Sequence, residues 1–513
     1  MAKQSSRAAR EVPGHQELMA WVGSLEPRLE AVETACREQR WTRLMRPEAP
    51  GPQEGEAERA ALLLDEETWL TVMSRVSLVS PADPMQRRLV LLGRRLLVAQ
   101  VESRADVYQL SQQLEADFLS SPPLVGDSQL TWGQWLGSLH TEPDCDRREQ
   151  IWRGLLPAAD ARREPFLELV RRRNRWARKQ GYANYVDLML APQGLSRDSV
   201  LERYVELEEA TLPSYRAFAT RMRHLLQRDH LSPWDIPYLL QVRLSVGGEN
   251  PHTDTIGEIL ALIAAVGLPW EHLPVSTQIT DHLPLFGLCH PVHIPDDIRL
   301  ILPSQQGWEA YFETARAHGQ ALLAGLTQQD SFLLRESAPC YQAGMGAFLA
   351  RLAAEPVWLR RRRLLPDNRL ARMPQITLDL LGLRLRRLMA LSVFEYQVYE
   401  TPEADLDAAW GKTQEAFLSL PGEPRTDWPV EPDFILRPIH LQDEIIGELI
   451  ASQAISYLYQ RFGALFDNPE LLEFVLPAYY ADGSADEWVD NVRTATGKFL
   501  SNKALFGELV GEE

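Results

Sequence analysis

Eleven histidines and four cysteines are the side chains of this 513-residue sequence best suited to metal binding or nucleophilic catalysis. No histidine is followed by glutamate and no two histidines are four residues apart, so the zinc-binding pattern HExxH is absent. The sequence also lacks a GxxxxGK[ST] phosphate-binding loop and a GxSxG nucleophile elbow. The cysteines are widely separated and form no CxxC pair, which argues against a disulfide framework or a thiolate zinc site.

One short segment comes closest to a metal-binding motif, because it contains Cys289, His290, His293, Asp296 and Asp297. The prolines within it prevent the two histidines from sharing one face of a helix. The pattern therefore favours polar residues of a loop or cleft rim over a metal site. His290 and His293 are predicted as possible cleft residues.

The composition is that of a globular, acidic protein. Hydrophobic residues make up 45% of the chain, and 53 basic against 71 acidic residues give a net charge of −18. Such a charge argues against nucleic-acid partners and against docking on anionic membranes. The longest apolar stretch, Ile259–Leu268, is too short to span a bilayer, and the N-terminus has no apolar run typical of a secretory signal. We expect a cytoplasmic protein.

Only five of the 53 basic residues are lysine, a bias typical of GC-rich coding that predicts a bacterial source.

The elements that must position any site are mainly helices, because apolar residues recur at helical spacing along most of the chain. Helices are predicted over residues 15–44 (a pair broken at Pro27), 58–79, 84–120, 147–178, 254–268, 308–326, most of 336–419, and 441–462. Loops are predicted at Arg46–Glu56, Asp229–Tyr238 and Pro421–Pro432. Residues 283–303 alternate prolines with β-forming residues and are the predicted strand region.

Several segments match known sequence patterns. Residues 168–187 (ELVRRRNRWARKQGYANYVD) fit the pattern RN-x-x-A-x-x-x-G-[FY]-x-[ND]-Y-x-D, and residues 438–453 contain the pattern GEL-x-ASQ. Residues 488–497 end in ATG, and residues 233–235 (PWD) and 297–302 (DIRLIL) are an aromatic loop and a strand-like segment. Together, and in this order over about residues 85–500, these segments resemble the oligoendopeptidase F and thimet oligopeptidase family, which are HExxH zinc peptidases related to angiotensin-converting enzyme. In that family, the counterpart of residues 297–302 is the strand before the zinc helix, and the GEL-x-ASQ pattern lies on a helix of the cleft.

The resemblance implies a mainly α, two-lobed helical ellipsoid with a deep central channel and a small β-sheet at the channel edge. Residues 1–13 are predicted to be a disordered tail. The resemblance implies an N-terminal helical lobe over 14–230 and a peptidase-like lobe with a degenerate site over 231–513, forming one continuous body.

Carried over residue by residue, the zinc helix of the family corresponds to Trp308–Leu326, with Gly319 and Gln320 as the anchor. The two zinc-binding imidazoles then correspond to Arg316 and Gln320, and the general-base glutamate corresponds to Ala317. The third ligand, a glutamate, corresponds to Ala343 within residues 342–344. None of these residue types supplies a zinc ligand or base of the required kind. The resemblance implies zinc as cofactor, but the sequence supports none.

The late tyrosine and histidine positions of the family fall near His440–Glu444, where His440 remains a plausible substrate contact. His440, Glu444, Gln342 and His318 complete the possible cleft residues. Arg316 is expected either to pair with a nearby carboxylate, Glu313 or Glu309, or to bind the carboxylate of a ligand.

These substitutions favour a catalytically inactive relative, a pseudopeptidase whose cleft binds a peptide or protein partner in a binding or regulatory role. One alternative is an oligopeptide hydrolase with a non-standard or repurposed active site that uses the histidines named above. Another is a non-catalytic partner subunit of an active homologue. The sequence does not predict an oligomeric state.

Overall fold

The computed structural model describes residues 15–46, 54–80, 83–121, 123–126, 128–244, 254–281, 283, 287–304 and 307–510. Most of these residues are helical. The α-helices are α1 His15–Met45, α2 Glu54–Leu63, α3 Glu66–Arg75, α4 Pro84–Glu102, α5 Ala105–Ser120, α6 Trp132–Thr141, α7 Cys145–Arg153, α8 Leu156–Lys179, α9 Tyr185–Leu190, α10 Arg197–Leu226, α11 Asp235–Leu244, α12 Thr255–Ala265, α13 Trp308–Leu326, α14 Phe332–Arg335, α15 Pro339–Ala354, α16 Pro356–Arg361, α17 Asp367–Leu370, α18 Met373–Glu400, α19 Leu406–Leu418, α20 Pro432–Leu436, α21 Leu441–Phe462, α22 Pro469–Val475, α23 Trp488–Thr496 and α24 Lys503–Val510.

The strands form two small sheets. A hairpin pairs β1 Leu124–Val125 with β2 Ser128–Gln129. The second sheet has the order β3-β5-β4, with strands β3 Val275–Thr280, β4 Leu288–His293 and β5 Asp297–Pro303. β3 runs parallel and β4 antiparallel to β5. The prediction of a mainly α fold with a small sheet just before α13 is confirmed.

Several predicted boundaries are wrong. Pro27 does not break the first helix, since Leu25 and Leu29 are buried on either side of it and Pro27 itself faces solvent. The apolar stripe continues through the proline, and its burial outweighs one missing backbone hydrogen bond. Each of the predicted helices at 58–79, 84–120 and 147–178 is two helices joined by a short turn. The predicted loop at 229–238 ends early because α11 begins at Asp235.

The largest apolar cluster draws on residues from Leu44 to Leu509, including α5, α8, α18 and α21. It therefore contains side chains from both of the predicted lobes. The division at residue 230 stays a prediction, and the predicted tail over residues 1–13 lies outside the described residues.

Among the helices that the structure describes, none is both long and apolar enough to cross a membrane.

Candidate functional site

Helix α15 packs closely against both α13 and α21, and these three helices carry the residues that the resemblance aligns with the zinc site and its neighbouring cleft helix. Glycines make the contact possible: a Cβ added to Gly319 of α13 would lie 2.4 Å from the carbonyl oxygen of Met345 on α15. A Cβ added to Gly447 of α21 would lie 2.7 Å from the backbone of Ala343 on α15. Helix backbones can approach this closely only where no side chain separates them. The positions carried over from the zinc peptidases therefore lie on adjacent helices.

Arg316 is fully engaged by carboxylates. Its Nε lies 3.2 Å from Glu313 one turn earlier on α13, and one Nη lies 2.7 Å from Glu448 on α21. Two roles were predicted for Arg316, and the structure shows the ion pair with a neighbouring carboxylate. Gln320 lies against the backbone of α15, since a Cβ added to Gly346 would be 3.3 Å from its Cγ.

Glu448 is the centre of a buried ion-pair network that joins four helices. Its carboxylate, 1% exposed, also lies 3.1 Å from Arg351 of α15 and 3.2 Å from Arg384 of α18. Burial by itself raises the pKa of the Glu448 carboxyl, but Arg316, Arg351 and Arg384 outweigh burial and lower the pKa to about 2. Three guanidinium groups around one buried carboxylate keep that carboxylate ionised.

The residues at this position do not fit zinc. Zinc in a peptidase site takes imidazole and carboxylate ligands and needs a carboxylate base beside them. Arg316 contributes a cation that repels zinc, and Ala317 and Ala343 have no donor atom. Ala317 is buried, with Gly287 packed against its methyl group. Within the described residues, no group of three or more His, Cys, Asp or Glu side chains is arranged to hold a metal ion.

A cavity of about 270 Å³ lies beside Arg316. Its apolar wall contains Trp132, Trp135 and Trp152 from α6 and α7, together with Trp410 of α19. The indole N–H groups of Trp132, Trp135 and Trp410 donate to Phe118, Ile151 and Asp427, respectively. The surface that these three indoles leave for a ligand is therefore apolar.

The lining of the cavity also carries paired charges. Arg384 lies 2.9 Å from Glu444, and Arg437 lies 2.9 Å from Asp433. His440 also faces Asp433, with 3.4 Å between its Nε2 and a carboxylate oxygen. A lining that combines apolar side chains with a few charged groups is typical of sites for small molecules or peptides.

Two of the six predicted cleft residues, His440 and Glu444, line this cavity, and the other four lie elsewhere. His290 contacts the carbonyl oxygen of Arg37 and stacks on Trp41. His293 pairs with Glu30 and Asp296. The structure therefore does not bring the predicted histidines together. His290 and His293 both lie on β4, and their side chains contact helix α1.

His318 and Gln342 also lie away from the cavity. The His318 ring packs on Trp270, and its Nδ1 lies 2.7 Å from the carbonyl oxygen of Thr314. The Gln342 amide donates to the carbonyl oxygen of Ser337 at 2.6 Å. Helix geometry turns His318 off the face that carries Arg316 and Gln320.

Removing the His318 imidazole is expected to flatten the pH dependence of stability. Burial lowers the pKa of His318 from its ordinary 6.5 to about 4. Between these values the unfolded chain binds the proton more strongly, so this contribution to stability is present above pH 6.5 and is lost as the pH falls towards 4. From pH 7 to pH 5, wild type should lose about 1 to 2 kcal/mol more than His318→Leu in urea denaturation. Parallel curves for the two proteins would contradict this assignment.

The sequence did not single out several residues that define the site. Glu448 lies inside the GELIASQ segment used for the resemblance, yet its three arginine partners are distant in sequence. His140 lines the cavity 3.1 Å from Glu309 of α13. The tryptophan and histidine spacing of residues 132–140 (WGQWLGSLH), with Trp132, Leu136 and His140 four residues apart on one helix face, is a signal that could have identified the apolar wall.

No family model matches the sequence, and no curated protein is significantly similar to it. Solved structures are similar in fold. One is the X-ray structure of a protein proposed to be an oligoendopeptidase F, with a TM-score of 0.72 and 14% identity over 99% of this chain and 97% of that one. Another is the crystal structure of BsuCP, with a TM-score of 0.63 and 12% identity over 97% and 99% of the two chains. Because fold does not determine activity, such identities report on architecture alone. This chain therefore has the fold of oligoendopeptidase F.

Proposed function

We propose that this chain is a non-catalytic relative of the zinc peptidases that binds peptides in the cavity beside Arg316. The observation that carries the proposal is the ion pair from Arg316 to the buried Glu448. Arg316 corresponds to a zinc ligand in the resemblance. Here its guanidinium group is already neutralised by the carboxylates of Glu313 and Glu448. A binding role needs only the cavity and the scaffold, and both are present.

The cavity supports peptides as the ligand class. Its tryptophan residues suit apolar and aromatic side chains, and the charged groups of its lining suit the polar backbone of a peptide. A volume of about 270 Å³ is enough for a few side chains but not for a folded domain. A protein partner would therefore enter with an extended segment only.

Metal content and peptide hydrolysis should be measured on the same purified protein. After incubation with zinc and dialysis, we expect far less than one zinc per chain by mass spectrometry and no cleavage of internally quenched peptides. An active oligoendopeptidase F serves as the positive control. Calorimetry should show binding of short peptides with aromatic residues. One tightly bound zinc per chain, together with hydrolysis that a chelator abolishes, would overturn the proposal.

A second candidate is hydrolysis by a repurposed site. Two histidine–carboxylate pairs, His140–Glu309 and His440–Asp433, line the same cavity. Such a pair can act as a general base towards water. Peptide cleavage that persists in the presence of chelator, and is lost in His140→Gln, would favour this candidate over a binding role.

A further inference from the structure

We propose that the cavity recognises a positively charged group on its peptide ligand, through Glu309. This inference rests on the proposed peptide-binding function and names the chemical class of ligand. It starts from the balance of charges on the cavity wall, where six carboxylates face five guanidinium groups.

Each arginine of the cavity is neutralised by a carboxylate of the chain. Arg316 and Arg384 belong to the Glu448 network, and Arg437 pairs with Asp433. Arg387 lies 3.1 Å from Glu431, and Arg425 pairs with Asp427. An anionic ligand would have to displace one of these internal carboxylates, and breaking such a pair leaves a charge uncompensated.

Glu309 is different, because its ion-pair partner is the histidine His140, 3.1 Å from its carboxylate. A histidine carries a positive charge only when it is protonated, whereas a guanidinium carries one at all physiological pH values. Among the described residues that line the cavity, Glu309 is thus the carboxylate whose ion-pair partner is not a guanidinium. The Glu309 side chain is 22% exposed, so a ligand can reach it.

The surroundings of Glu309 suit an organic cation. His140 is on α6, the helix that also contributes Trp132 and Trp135 to the cavity wall. Indole rings attract ammonium and guanidinium groups through their π-electrons and accept the alkyl part of such groups by apolar contact. A carboxylate beside an aromatic wall therefore fits the charged end of a lysine or arginine side chain, or the amino group at a peptide N-terminus.

The test compares peptides that differ by one charge. Four peptides are used, each with one phenylalanine and an amidated C-terminus. Three of them have an acetylated N-terminus and differ at one position, which holds lysine, norleucine or glutamate. The fourth has norleucine and a free N-terminus. Calorimetry should show about tenfold tighter binding of the lysine peptide than of the norleucine peptide, with the glutamate peptide weakest. The free-amine peptide tells whether an N-terminus serves as well as a side chain.

Two variants identify the carboxylate responsible. Glu309→Gln should remove the tenfold preference, so that the lysine and norleucine peptides bind with equal affinity. Glu403→Gln, which removes an exposed carboxylate paired with Arg171, should keep the preference. The wild-type comparison needs no variant, so it holds even where Glu309→Gln fails to fold.

Each outcome decides the question. Equal binding of the lysine and norleucine peptides, or tighter binding of the glutamate peptide, overturns this inference and leaves peptide binding in place. A preference that survives in Glu309→Gln overturns the assignment to Glu309. Failure of all four peptides to bind overturns the proposed function, and the inference with it.

Discussion

Glu448→Gln is expected to lower the free energy of unfolding by about 3 to 5 kcal/mol, the cost typical of removing one partner from a buried charge network. The change keeps the shape of the side chain and removes its negative charge. Arg316, Arg351 and Arg384 then lie close to one another with less compensation. Equilibrium urea denaturation followed by circular dichroism measures the difference.

The exposed pair between Glu403 and Arg171 provides the control. Glu403 is 73% exposed in its side chain, and pairs at such positions contribute little to stability. Glu403→Gln should therefore leave the unfolding free energy close to that of wild type. Arg316→Met should cost less than Glu448→Gln, because Glu448 keeps two of its three arginines. A Glu448→Gln protein as stable as wild type would show that the network does not hold these helices together.

The proposed function involves no zinc ion, and this network supplies a link between helices that does not require one. The resemblance puts a dication between α13 and α15, two helices that Glu448 now joins through Arg316 and Arg351. The Arg316 guanidinium donates to the Glu448 carboxylate of α21, and this ion pair links helices at the position where the resemblance implies a metal ion. We infer that Arg316 acts structurally, which leaves ligand recognition to other groups of the cavity.

Local sequence patterns predicted the helices that build the site. The bounds of α13 and α21 follow from the sequence, because their apolar residues recur without a break over about twenty residues. β3 was not predicted, since its residues (VSTQIT) are mostly polar and only its pairing with β5 makes it a strand. Strands depend on partners that are distant in sequence, whereas helices depend on neighbours.

The same distinction holds for the site. The pair between Arg316 and Glu313 follows from the sequence because the two residues are three positions apart on one helix. The contacts of Arg316 with Glu448 and of His140 with Glu309 span more than a hundred residues, and no local rule brings them together. His290 and His293 were grouped by their short spacing, but the sheet turns both towards α1. Sequence spacing thus identified α13 and α21, but neither α6 nor the side chains that enter the cavity.

Gly319→Ala is expected to destabilise the protein by about 3 kcal/mol, because overfilling a tightly packed contact forces the backbone to move. The added methyl group would lie 2.4 Å from the carbonyl oxygen of Met345 and 2.9 Å from the Cα of Gly346. Both are backbone atoms and cannot rotate away. α13 and α15 would have to separate, and the pair between Arg316 and Glu448 would lengthen with them.

Gly382→Ala on α18 is the matched control, since it makes the same chemical change inside another helix. A Cβ at Gly382 would meet no atom within 4 Å. Alanine favours the helix over glycine, so this variant should gain about 0.5 to 1 kcal/mol. Opposite signs for the two variants in urea denaturation would show that the close approach of α13 and α15, and not helix propensity, requires glycine at 319. A Gly319→Ala protein at least as stable as wild type would mean that these helices can separate without cost, and the site would then owe its geometry to the Glu448 network alone.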